Sequence, residues 1–421
     1  MLLQFSVKNF RSFKDEVKLS LEASSDKELE NNLTRIGRDR VLNNVVVLGA
    51  NASGKSNVFL AITAAIMTIR KSNSRQIKEE LEHIVPFVFD EETAQQPTAF
   101  EFVFYAEGTK YVYGFSATRS EVVEEHLYYY KSAKASMVFE RRKGEPYKFV
   151  GDKRELSSIV ERNADNKLFL ATATAWNCKS TRIPYLWFEE KINTYANTMD
   201  QLFGIAAPLY LKDADDSLHL FTNHLLHEAD INIDDYALDA FDVAENAAVH
   251  GLPPELAHLA PQLIPKGKTV QIQTVHTIEK DDNGTAQFKL AFLDESLGTR
   301  HLFMFAPILK RAFETGETVC IDEFDSSLHP MLAVYLIRMF NDPTVNRAHA
   351  QLIISAHTME LLSPDILRRD QIYFTEKKRK TGISELYSLD EFSLRKGENV
   401  RKAYLLGRYG AVPDIPEGAL L

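Results

Sequence analysis

Residues 45–56 read V-V-V-L-G-A-N-A-S-G-K-S. Four apolar residues, Val45–Leu48, run into a glycine loop, and a proline-free stretch rich in Ala, Leu, Ile and Met follows from Val58 to Ile69. The first pattern predicts a buried parallel strand, the second a helix. The loop between them, residues 49–56, fits G-x-x-x-x-G-K-[ST], the pattern of a phosphate-cradling loop. Gly49 and Gly54 let the backbone turn tightly and approach phosphate oxygens without a Cβ in the way. The exposed main-chain N–H groups, over Asn51, Ala52, Ser53 and on to Asn57, then form an anion nest at a helix N-terminus. Lys55 adds a full positive charge at the β and γ phosphates, and the Ser56 hydroxyl can ligate Mg2+. A glycine turn with an incidental lysine is the alternative, and the strand–loop–helix context speaks against it.

The chain has 421 residues, 45% of them hydrophobic, enough core for one large domain or two to three smaller ones. A formal net charge of -10 excludes whole-surface affinity for nucleic acid and leaves only local basic clusters, Glu376–Lys380 (EKKRK) and Arg141-Arg142-Lys143. A solvated loop explains such clusters equally well. Cys178 and Cys320 are far apart and suggest neither a disulfide framework nor a CxxC metal site, which fits a reducing compartment. The opening MLLQFSVKNFRSF turns polar too early for a signal peptide, and no apolar run approaches 18 residues. A cytoplasmic protein without a membrane partner is expected.

A second carboxylate-bearing strand end lies at V-C-I-D-E, residues 319–323. Two adjacent acids there repel each other unless a cation or a water network answers them. A magnesium nucleotide supplies that cation. Asp322 would hold Mg2+ through water, and Glu323 would polarise a water attacking the γ-phosphate.

With these residues in hand a resemblance is plain. D-E-F-D-S-S-L-H, residues 322–329, resembles the Walker B and D-loop segment of ABC ATPases, although the family usually ends it with Asp where this chain has His329. Q-L-I-I-S-A-H, residues 351–357, is similar to the strand that ends in the family's switch histidine, so the resemblance implies that His357 contacts the γ-phosphate. E-S-L-G-T-R, residues 295–300, ahead of the apolar stretch Leu302–Phe313, resembles a divergent ABC signature. Ser296 can cap the helix that follows and Gly298 permits close approach, so that helix presents donors to an anion; a capped surface helix is the plainer alternative. In ABC proteins the signature closes over the nucleotide of a partner subunit, so the resemblance implies a nucleotide-dependent homodimer or higher oligomer. F-S-V-K-N-F-R-S-F, residues 5–13, resembles the first hairpin of the SMC, Rad50 and RecF group, where an arginine near this position reaches phosphate; Arg11 is the candidate. Gln95 and Gln96 are the candidates for a Q-loop. No guanine-specifying NKxD string is present, and the ABC pattern implies ATP with Mg2+.

The implied fold class is α/β: an ABC-type P-loop NTPase head with a mixed sheet, an antiparallel β subdomain and a helical insertion. Alternating residues predict strands over Leu2–Phe10 and Val17–Leu21, and FEFVFY, KYVYGFSATR and EEHLYYY predict an antiparallel sheet between Pro86 and Glu140. Tyr128, Tyr129 and Tyr130 read as core and edge packing rather than a platform for stacked bases. Residues Glu155 to Leu263 read as mostly helical, for example Leu186–Tyr195 and Ser217–Ala229, ending at Pro253-Pro254. A hairpin over Thr269–Glu279 and Thr285–Leu293 is expected around Asp282-Asn283-Gly284. The expected division is residues 1–150 for the N-terminal part of the head, 151–265 for the insertion and 266–421 for the C-terminal part. That insertion is too short for the long coiled coil of a true SMC or Rad50. K-A-Y-L-L-G-R-Y-G-A-V-P, residues 402–413, reads as a helix ending in a glycine turn, and resembles the tail of small prokaryotic ABC-like AAA ATPases of abortive-infection cassettes (RloA-like, AbiLi-like and the ATPase of PARIS). Those work with a separately encoded effector, often a nuclease of TOPRIM type, so the resemblance implies phage defence. A RecF-like repair clamp that binds DNA, or a slow-turnover scaffold, are the alternatives.

Overall fold

The computed structural model describes residues 1–195, 198–242, 268–280, 284–393 and 398–413. The chain packs as two units: Met1–Tyr195 with Ala312–Asp325 and Ala333–Leu421, and Ala196–Arg311 with Ser326–Leu332.

The first unit opens with the hairpin β1 (Leu2–Lys8) and β2 (Val17–Ser20), a small ribbon of β3 (Leu33–Ile36) and β4 (Asp39–Leu42), and β5 (Asn44–Gly49) leading into the glycine loop. A meander follows: β6 (Thr98–Ala106), β7 (Thr109–Ala117), β8 (Val122–Tyr130), β9 (Ala135–Arg142) and β10 (Lys148–Phe149). With the first hairpin it forms a seven-stranded antiparallel sheet in the order β10-β9-β8-β7-β6-β1-β2. The alternation predicted for FEFVFY is present: Phe100, Phe102 and Phe104 are buried and the residues between them half-buried. Phe104 stacks on Trp187 with ring centroids 4.0 Å apart, and Phe102 meets Phe188 edge-on at 5.0 Å. The helix Lys179–Glu190 thereby covers that face.

β11 (Ile192–Tyr195) ends the first long segment of this unit. The second unit carries β12 (Asp235–Asp242), β13 (Lys268–Glu279) and β14 (Thr285–Ala291), which pair antiparallel in that order, together with the helices Met199–Tyr210 and Ser217–Glu228. The expected hairpin is therefore β13–β14, with residues 281–283 of its turn outside the described residues, as are Pro253 and Pro254. Back in the first unit, β15 (Thr318–Ile321), β16 (Gln351–Ser355), β17 (Ile372–Lys377) and β18 (Ser384–Ser388) join β5 and β11. The resulting sheet has the order β11-β15-β16-β5-β17-β18 and is parallel except at β17–β18. β15 and β16 are buried along their whole length, and β5 from Asn44 to Leu48, as suits parallel strands covered on both faces.

The register positions the chemistry. Ile321 lies opposite Ile354, Ser355 opposite Val47, and Thr375 opposite Gly49. The carboxyl ends of β15, β16, β5 and β17 thus share one edge, where open α/β sheets bind ligands.

Two expectations are corrected. Leu186–Tyr195 is not helical throughout: the helix ends at Glu190 and Ile192–Tyr195 is a strand paired with β15. Its place is held by tertiary bonds that local periodicity does not reveal. Arg70, closing the helix Lys55–Arg70, donates to the carbonyls of Phe188 and Ile192 and to Asn193 Oδ1, while the Asn193 amide and the Tyr195 hydroxyl both donate to Glu317. Arg141, grouped above with a solvated basic cluster, is instead buried 3.6 Å from the fully buried Glu125. Glu125 accepts from the Tyr113 hydroxyl and from the main-chain N–H groups of Phe169 and Leu170, at the start of the helix Phe169–Ala175. The pair answers two charges far from water and fixes that helix to the antiparallel sheet.

Candidate functional site

The glycine loop owes its residue types to packing as much as to phosphate. Gly49 has φ +155°, and a Cβ there would fall 2.5 Å from the Thr375 carbonyl oxygen and 2.7 Å from Ser53 Oγ. At Gly54, φ +118°, it would fall 2.7 Å from Ser384 Oγ. Ser53 Oγ hydrogen-bonds Thr375 Oγ1 at 2.6 Å, Ser384 Oγ donates to the Ser53 carbonyl at 2.7 Å, and Asn57 Nδ2 donates to Ser12 Oγ at 2.7 Å. The loop is thus seated on β17, β18 and the first hairpin, with Asn51, Ala52 and Ser56 on its exposed side. The helix Lys55–Arg70 starts at once, without a side-chain cap, which leaves first-turn N–H groups to face an anion. Lys55 folds back and donates to the carbonyls of Gly49 at 2.7 Å and Ala50 at 3.2 Å. Burial pulls its pKa below the ordinary lysine value, opposed by the charges of Asp322, Glu323 and Asp325. The acids after β15 therefore lie within electrostatic reach of the loop lysine.

One residue that sequence reasoning passed over organises those acids. Ser355, the last residue of β16, has no exposed surface. Its hydroxyl donates to Asp322 Oδ1 at 2.5 Å and accepts from the Glu323 N–H at 2.7 Å. Glu323 adopts φ +53°, which turns the chain sharply and leaves its side chain exposed on the carboxyl edge. Asp325, also passed over, is buried, and its Oδ2 accepts from the N–H groups of His357 and Thr358 and from the Thr358 hydroxyl. His357 itself is exposed. A serine in an apolar strand and a second aspartate two residues after an acid pair carry no pattern of their own, which is why the sequence alone does not single them out.

Arg11 is exposed at φ +50°, adjoining Ser12, whose Oγ meets Asn57 and lies 3.3 Å from where a Gly54 Cβ would sit. Gln95 and Gln96 are exposed ahead of β6, and the Gln96 carbonyl accepts from Asn9 Nδ2 at 2.8 Å. Tyr128 to Tyr130 are half-buried in β8, where the Tyr128 hydroxyl donates to Glu140 and Lys131 Nζ lies 5.5 Å over the Tyr129 ring.

In the second unit, Ser296 caps the helix Leu297–Thr315 by accepting from the Thr299 N–H at 3.1 Å. Gly298 is pressed against the segment after Asp325: a Cβ there would fall 2.6 Å from the Ser327 carbonyl oxygen. Glu295 accepts from the Thr274 hydroxyl and pairs with His276 Nε2 at 2.8 Å, which ties the segment to β13. His329 Nδ1 accepts from the Met331 N–H at 3.2 Å and closes the turn into the helix Pro330–Asn341.

The donor set suits a magnesium triphosphate. Ser56 and Asp322 offer the hard oxygen ligands Mg2+ takes, and the loop amides with Lys55 offer the anion donors. Among the described residues no group of three or more His, Cys, Asp or Glu could hold a metal.

The profile of the family described as "AAA domain, putative AbiEii toxin, Type IV TA system" matches residues 45–363. The chain belongs to this AAA family. The match begins at the strand that feeds the glycine loop and runs past His357, so it spans every motif of the site except Arg11. No curated protein matches this AAA chain. Among solved structures it is similar to the SMC head domain from Thermotoga maritima, at 14% identity and a TM-score of 0.42 over 92% of this chain and 98% of that one. It is also similar to an SMC head bound to the C-winged helix domain of ScpA, at 11% identity and a TM-score of 0.41 over 94% and 98%. No helix among the described residues of the AAA chain is long and apolar enough to cross a membrane.

Proposed function

We propose that this chain is an ATPase that binds Mg2+ and ATP at the carboxyl edge of its parallel sheet, dimerises around nucleotide, and uses that cycle to control a partner effector in antiviral defence. The observation that carries the reading is Ser355 gripping both Asp322 and the Glu323 main chain within electrostatic reach of Lys55.

In this mechanism the triphosphate takes the place of the Gly49 and Ala50 carbonyls as the partner of Lys55. Ser56 and Asp322 would hold Mg2+, which would supply charge neutralisation to the triphosphate. Glu323, exposed beside them, orients the attacking water and takes its proton, while His357 faces the γ-phosphate. Arg11 answers phosphate charge from the first hairpin. Ser296 and Gly298 reach the nucleotide of a second copy. The word toxin in the family description, together with the resemblance of residues 402–413, favours a defence cassette with a separately encoded nuclease. Arg141 faces inward, and the exposed Arg142 and Lys143 beside it pair with Glu124 and Glu121, which weakens one of the two basic clusters on which a DNA-binding repair clamp would rest.

Glu323→Gln tests the reading. The variant is expected to lose turnover, to retain ATP and to accumulate as a dimer by light scattering. Wild-type turnover in Glu323→Gln would remove Glu323 from this role.

A further inference from the structure

We propose that Asp325 is the positioning residue for His357, acting on it through the main chain rather than through the imidazole. The proposal rests on the nucleotide reading above and adds a part to it. His357 stands two residues beyond the end of β16 and its ring is exposed, so packing does not determine where the imidazole points. Its main chain is what is held. A single carboxylate oxygen, Asp325 Oδ2, receives the N–H of His357 at 2.8 Å, the N–H of Thr358 at 2.6 Å and the hydroxyl of Thr358 at 2.5 Å. Three donors from two consecutive residues fix the peptide plane on which the histidine is mounted, and an ionised acceptor makes each bond stronger than a neutral one would.

The same two segments are joined a second time. Ser355 bonds Asp322 and the Glu323 N–H, and the Phe324 N–H donates to the Ser355 carbonyl at 3.0 Å. The acids at 322–323 and the histidine at 357 are thereby laced into one rigid constellation, with Ser355 setting one end and Asp325 the other. Asp325 is 91% buried, and among the described residues its second oxygen, Oδ1, has no hydrogen-bond partner. An apolar residue there would leave the N–H groups of His357 and Thr358 without this acceptor, so the buried carboxylate is kept for the segment it holds. Its negative charge is also among those that offset the effect of burial on the Lys55 ammonium. The carboxylate therefore links three members of the site: loop lysine, acid pair and histidine.

Steady-state hydrolysis by the full-length chain tests this. Asp325→Ala is expected to lower kcat about 100-fold, the scale of an ångström-sized misplacement, with KM for ATP moved by less than about threefold, as befits a loss felt in the transition state. Asp325→Asn keeps one acceptor oxygen and should fall between it and wild type. Because Asp325 acts through His357, the double variant Asp325→Ala/His357→Ala should turn over no more slowly than His357→Ala alone. Full multiplication of the two losses in the double variant, or wild-type kcat in Asp325→Ala, overturns the proposal. If Asp325→Ala does not fold, Thr358→Ala carries the test: its kcat should fall and Thr358→Ser should restore it, and no fall refutes the link. Absence of hydrolysis from wild type overturns the nucleotide reading and this inference with it; an active wild type beside an unaffected Asp325→Ala overturns this inference alone.

Discussion

Replacing Ser355 by alanine removes one oxygen and unties two parts of the site at once. The Glu323 N–H loses its acceptor, and an orphaned main-chain donor costs about 1–3 kcal/mol. Asp322 loses a bond in which the acceptor is charged, worth about 1.5–3 kcal/mol. Asp322 is half-buried and recovers part of its loss from water, so the two together come to about 3 kcal/mol. With a urea slope of about 3 kcal/mol per molar for a large domain, the unfolding midpoint should drop by about 1 M. Turnover should fall further than stability implies, since Glu323 sits at φ +53° and has lost the bond that holds it there. A decrease of about 100-fold in kcat is expected, read by phosphate release at saturating ATP under conditions where the variant is folded. Ser355→Ala with a native midpoint and native kcat would refute the claim that this hydroxyl organises the acids.

Arg141→Met should leave Glu125 as a buried carboxylate without its cation and cost about 3–5 kcal/mol at neutral pH. Burial already raises the Glu125 pKa, and Arg141 is the strongest influence pulling it down, so the variant raises it further. A carboxyl group whose folded pKa is raised contributes stability at low pH and loses it as pH rises through that pKa. The gap in urea midpoint between variant and wild type should therefore be smallest near about pH 4, where the loss of the bonds to the Lys167 and Asp165 carbonyls remains, and widen toward neutrality; a pH-independent gap would contradict it. Gly298→Ala would drive a methyl to 2.6 Å from the Ser327 carbonyl. It should leave nucleotide binding by the single chain intact but abolish the dimer trapped by Glu323→Gln, measured by light scattering with ATP.

What the sequence disclosed was whatever has local periodicity or a fixed spacing. The strand at Val45–Leu48, the loop at 49–56, the Phe100–Phe104 alternation and the acid pair after β15 all follow from residue order, because each is decided within about ten residues. Ile192–Tyr195 reads as helix in residue order because Trp187, Phe188, Ile192 and Tyr195 can be placed on one helical face; pairing with β15 and bonds to Arg70 and Glu317, all distant in sequence, decide otherwise. Arg141 looked like part of a basic surface because its partner Glu125 lies on the neighbouring strand. Ser355 and Asp325 stayed hidden for the same reason. Their partners are 32 or 33 residues away, and their chemistry exists only once β15 and β16 lie side by side.

The order of strands in the parallel sheet bears on how this protein is made. β5, which carries the glycine loop, lies between β16 and β17, and Leu2 at the other end of the first segment exchanges bonds with Gln351 across 349 residues. A ribosome working at about 5–20 residues per second leaves β5 without neighbours for roughly 15–60 s. For that interval its apolar edges are open to any unpaired strand nearby, which is a period of exposure to aggregation and a reason to recruit chaperones. The glycine loop therefore gains its seat on β17 only after translation has passed residue 377.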